Sequence, residues 1–159
     1  MNLQKYRKDI IFDLETFPNI FTMCVVFANG KGLRVYEISD RKNETEQILE
    51  FLRNVKRNEY TMVGFNNLGF DYPVLHFILN ESRAAIASEK PLKMTAGKIY
   101  KEVQKMMEKK GDDRFGNKVK DSEVILPQRY LYLIHHFDNN ARSTSLKMLE
   151  FNMRCKNIE

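Results

Sequence analysis

The chain has 159 residues, 43% of them hydrophobic, and a formal net charge of +5. That is enough for one domain with a substantial core. It contains no apolar run near the length of a membrane span, and MNLQKYRKD carries no hydrophobic signal segment, so an intracellular, cytoplasmic location is expected. Cys24 and Cys155 lie far apart, form no metal-binding pattern, and read as buried reduced thiols.

In chain order, residues 9–15 read as a buried strand built on Ile10, Ile11, Phe12 and Leu14. Residues 20–28 form a second β-prone run, followed by a turn at Asn29-Gly30 with Gly32 just after. Residues 33–38 alternate as a third strand, which predicts an antiparallel meander. Asn43 is expected to cap a helix, with Glu46 three residues on. Ile48, Phe51, Leu52 and Val55 would make its buried stripe. Residues 60–65 read as a fourth strand, and a helix is expected from Tyr72 to about Asn80, with Pro73 in its first turn.

Residues 82–121 read differently, as a basic helical insertion. Residues 90–120 hold ten Lys or Arg against four acids, so this stretch carries the whole positive excess. Gly97 and Gly111 bracket a helix with a narrow stripe of Ile99, Val103, Met106 and Met107. Its opposite face carries Lys98, Lys101, Lys105 and Lys109. Such a face is either ordinary solvated surface or a nucleic-acid patch. Strand character returns over 123–134, interrupted by Pro127, and Ser143 or Thr144 is expected to cap a last helix.

The order β-β-β-α-β-α-(insertion)-β-α predicts an α/β fold over residues 1–159. Its sheet would be mixed, a three-strand meander plus parallel strands, in a ribonuclease-H-like arrangement flanked by helices.

Two acids close the first strand. Asp13 and Glu15 share one face because strand side chains alternate, with Cα atoms roughly 6.5–7 Å apart. That spacing suits two carboxylates facing a hard cation, and oxygen ligands without thiolates favour magnesium or manganese. Asp71 follows the fourth strand through an Asn-Asn-Leu-Gly loop. It is either a helix N-cap or a third ligand brought beside the first two by parallel strand pairing.

FDLET (residues 12–16) resembles the first motif of DEDD-type 3′–5′ exonucleases. NNLGFD (66–71) resembles the second motif in the form found in the proofreading domains of family B DNA polymerases, including phage-like ones. TSLKMLEFNMR (144–154) is similar to the Ser-x-Lys-Leu helix of those domains. The resemblance implies Asp13, Glu15 and Asp71 as catalytic metal ligands of a two-metal Mg2+ or Mn2+ site. It implies Thr16 beside the terminal nucleotide, and Asn66 and Phe70 along a single-stranded 3′ end of DNA. A DNA polymerase, or the remainder of a longer chain, is the implied partner, in a bacterial or phage-infected cell.

The family's third motif, Tyr-x-x-x-Asp, is not found up to Glu159, and HHFDNN (135–140) has the wrong spacing to replace it. His135 and His136 then read as polar loop residues. The missing motif implies a domain lacking its C-terminal helix, or one completed by a partner. The alternative is a non-catalytic, nuclease-like module that binds nucleic acid or protein.

Overall fold

The computed structural model describes residues 8–109, 119–132 and 145–154. Five strands form one sheet in the order β3-β2-β1-β4-β5. They are β1 (Asp9–Thr16), β2 (Ile20–Phe27), β3 (Arg34–Ser39), β4 (Thr61–Gly64) and β5 (Gln128–Tyr130). The first three pair antiparallel, whereas β4 pairs parallel with both β1 and β5. This is the expected meander plus parallel strands, and it is compatible with a ribonuclease-H-like α/β fold.

The helices are α1 (Thr45–Arg57), α2 (Asp71–Ala87), α3 (Ala96–Lys109) and α4 (Leu146–Asn152). One face of the sheet is packed under helices. Ile10, Phe12 and Leu14 of β1 are buried there with Phe21 and Met23 of β2. The other face is more open. Ile11, expected in the core, is 47% exposed because it points the same way as Asp13 and Glu15. Cys24, expected to be buried, is half-buried on that face, opposite Asp13 in the β1–β2 register. Cys155 lies outside the described residues.

Several boundaries differ from expectation for local reasons. The Asn29-Gly30 turn forms, with Gly30 and Gly32 both at left-handed φ (77° and 70°), where glycine carries no Cβ penalty. The first helix starts at Thr45, two residues after Asn43. Asn43 still bridges to Ile38, and the Glu44 N–H donates to the Glu37 carbonyl, so β3 pairing delays the helix. The Asn43 side chain accepts from the Thr45 N–H and donates to the Met94 carbonyl, joining the helix entrance to the segment before α3. Leu49 completes the buried stripe of α1, and Phe51 is only half-buried.

Helix α2 runs on past Asn80 to Ala87, so residues 82–87 continue it rather than open an insertion. Ile99 and Val103 of α3 are buried in the main core, and α3 packs against β1, β2 and α2. Met107 is 50% exposed and leaves the stripe. The strand expected over 123–134 shrinks to Gln128–Tyr130, preceded by a 3-10 turn at Asp121–Glu123 and by Pro127. The last helix is capped by Ser145, whose hydroxyl accepts from the Met148 N–H. Ser143, Thr144, Gly111 and the loop 135–140 lie outside the described residues.

Candidate active site

The parallel strands β1, β4 and β5 all end on one side of the sheet, and the chemistry-bearing residues gather there. In open α/β sheets the crevice beyond the carboxyl ends of the strands is where ligands bind. β1 delivers Asp13 and Glu15, both exposed, to its outer face. Thr16 ends the strand, half-buried, opposite Phe21. β1 and β4 stay in register only to Ile11 and Val63. Past that point the loop 65–70 carries the chain to α2.

Asp71 is the first residue of α2 and is only 6% exposed. Phe70 occupies the N-cap position, so Asp71 is not the cap. Its carboxyl is pushed up to about 7, first by burial and then by the negative charge of Asp13, with Glu15 adding less. Backbone N–H groups of Asp71 itself and of Leu14 act the other way, favouring the carboxylate. The end of β1 and the start of α2 therefore sit close enough for their acids to interact. Parallel pairing brings the two segments together, as the sequence suggests.

Tight packing holds this arrangement. Gly64 leaves no room for a side chain, since a Cβ there would lie 2.7 Å from the Cβ of Asn67. Asn67 is fully buried, and its amide donates to the Gln128 side chain of β5 at 2.8 Å. Asn66 adopts left-handed φ (60°), and its side-chain oxygen accepts from the Tyr130 hydroxyl at 3.2 Å. Gly69 crowds the same oxygen, at 2.8 Å from where its Cβ would stand. Tyr72, fully buried, accepts from the Ile125 N–H at 2.7 Å. Thus β5 and the segment before it grip the loop on both sides of Asp71. Phe70 is half-buried and packs against the core.

The donor set suits a hard cation: oxygen ligands only, with a carboxyl raised by burial and then by neighbouring anions, both of which a divalent ion offsets. The three acids are not drawn together on one point, however. Among the described residues, no three His, Cys, Asp or Glu side chains converge closely enough to hold an ion. Strand alternation keeps Asp13 and Glu15 on the exposed face, while Asp71 approaches from the buried helix.

The basic face of α3 is partly neutralised. Lys98 is ion-paired with Glu81, and Lys105 pairs with Glu102 at 3.0 Å. Lys101 is exposed. Lys109 ends the helix, and its side chain lies outside the described residues. Sequence reasoning missed Phe65, Tyr130 and Tyr132, whose rings meet beside Asn66. The spacing of two tyrosines in QRYLYL, two residues apart on leaving a strand, was the available signal.

Fold and site together make a mixed α/β sheet compatible with a ribonuclease-H-like fold, with paired strand acids and a third acid at a helix start. Residues 12–87, just under half of the chain, match the family of predicted 3′–5′ exonucleases related to the exonuclease domain of PolB. The match covers both FDLET and NNLGFD and bears out the resemblance they carry. Neither a curated protein nor a solved structure matches the chain significantly. No helix among the described residues is long and apolar enough to cross a membrane.

Proposed function

We propose that the chain is a metal-dependent 3′–5′ exonuclease domain acting on single-stranded DNA 3′ ends in association with a DNA polymerase. The observation that carries this reading is the nearness of Asp13 to the buried Asp71 at the carboxyl ends of parallel strands, where its negative charge adds to burial in raising the Asp71 carboxyl, inside the segment similar to PolB-type exonucleases. Asp13, Glu15 and Asp71 would hold Mg2+ or Mn2+. A cation held there would supply an activated water and neutralise charge developing on the phosphate and the leaving oxygen.

The chain's own residues divide the remaining work. Asp13 and Glu15 are exposed and free to turn toward a ligand, whereas Asp71 is fixed by its helix and by the anchor at Tyr72. Thr16 follows Glu15 at the strand end and would contact the terminal nucleotide. Asn66, held by Tyr130, and Phe70 would line the strand leading to it.

The test is release of mononucleotides from 3′-labelled single-stranded DNA with Mn2+, compared between the parent chain and Asp13→Ala. Release by the parent alone supports the exonuclease. No release from either, with salt-sensitive DNA binding retained, supports a non-catalytic nucleic-acid-binding module instead.

A further inference from the structure

Phe65, Tyr130 and Tyr132 make a ring cluster at the carboxyl ends of β4 and β5. Gly64 and Tyr130 are register partners, which sets Phe65 and Tyr132 side by side just beyond the sheet. The Phe65 and Tyr132 rings meet edge-on at 5.6 Å, and Tyr130 and Tyr132 lie 5.7 Å apart at 30°. All three residues are only half-buried, although the sheet beside them has a well-filled core.

Tyr130 also has a polar task. Its hydroxyl donates to Asn66. Burial, then Tyr132, raises the phenol above its ordinary value, so the hydroxyl stays protonated as a donor. The rings are thus fastened to the loop that leads to Asp71. β1 and β5 are separated by β4 alone, a span of about 10 Å at ordinary strand spacing. A strand ending at the acids would cross the cluster within a few nucleotides.

We propose that Phe65, Tyr130 and Tyr132 form a stacking platform for the unpaired bases of a single nucleic-acid strand whose 3′ end lies at Asp13, Glu15 and Asp71. The inference rests on the exonuclease reading for the direction of the strand. Its chemistry stands on the rings: every base offers a π-face, so such a platform tolerates any sequence and favours unstacked bases over duplex.

The test uses the full chain in EDTA, with fluorescence anisotropy of a labelled oligothymidylate. A second oligomer of equal length carries abasic sites at its last few 3′ positions. The platform predicts that Tyr132→Ala weakens binding of the intact oligomer about 10-fold. Tyr132→Phe should bind like the parent. The abasic oligomer should bind parent and Tyr132→Ala equally, which also shows that the variant is folded. Equal affinity of parent and Tyr132→Ala for the intact oligomer overturns the platform. So does a loss of the same size for both oligomers, or no binding by the parent. Base-dependent binding in EDTA, together with no mononucleotide release in the separate Mn2+ assay, supports the platform and removes the exonuclease reading. Hydrolysis by a parent whose binding ignores the bases does the reverse.

Discussion

Burial at the first turn of α2, and then the negative charge of Asp13 on the exposed face of β1, raises the carboxyl of Asp71. The two residues are far apart in sequence and belong to different kinds of element. The parallel pairing of β1 with β4, followed by a short loop, explains why Asp71 lies near enough to be affected by Asp13.

That relationship predicts a pH dependence. The Asp71 carboxyl is raised from 3.8 to about 7 in the folded chain. A raised acid favours the protonated folded state, so its contribution to stability is full below about pH 4. It is lost as pH rises through about 7. In EDTA, Asp71→Asn should therefore gain in urea midpoint relative to the parent between pH 5 and pH 8. A constant difference across that range would show that the Asp71 carboxyl is not raised by its burial and its acidic neighbours.

Tyr72 anchors the helix that carries Asp71. Its hydroxyl accepts from the Ile125 N–H at 2.7 Å and from the Leu126 N–H at 3.3 Å. Tyr72→Phe leaves the ring packed and removes the acceptor. The expected cost is about 1–3 kcal/mol, because backbone donors lose their partner where water is scarce. Urea unfolding should show a lower midpoint at unchanged slope.

Gly64 sets the path of the loop. Alanine there would press on Asn67 at 2.7 Å and meet Phe12 at 3.4 Å. Overpacking of this kind costs about 1–3 kcal/mol, and here it also displaces the loop before Asp71. Gly64→Ala should lose both thermal stability and divalent-cation affinity, measured by melting with and without Mn2+.

The fold was largely legible in the sequence, because hydrophobic alternation and the Asn-Gly turn are local signals. The meander, the crossover through α1 and the parallel return at β4 all follow from them. Boundaries set by tertiary bonds were not legible. Asn43 looks like a cap, but β3 keeps bonding past it until Thr45. Ile11 looks like core, yet its face of the sheet is open among the described residues. The basic character of 90–120 concealed that Ile99 and Val103 build the core. Asp13, Glu15 and Asp71 could be picked out from strand geometry and motif resemblance. For Tyr130 the only local signal is the tyrosine spacing in QRYLYL; its role depends on a hydrogen bond to Asn66, 64 residues away.

The lysines of α3 give a separate prediction. Lys101 and Lys105 are both exposed, and the ion pair of Lys105 is with Glu102 on the same helix, so among the described residues neither ties α3 to another element. If they face DNA, Lys101→Ala with Lys105→Ala should weaken binding and reduce the salt slope by about 1 for each phosphate no longer neutralised. An unchanged slope would make the helix face ordinary solvated surface.

The most direct test of the account is a Mn2+ titration of the full chain at pH 8, followed by electron paramagnetic resonance of the free ion. The parent should bind Mn2+, while Asp13→Ala and Asp71→Asn should each lose at least about 10-fold in affinity, because each removes a charged oxygen ligand. Equal binding by the parent and both variants would contradict the assignment of these carboxylates as a cation site.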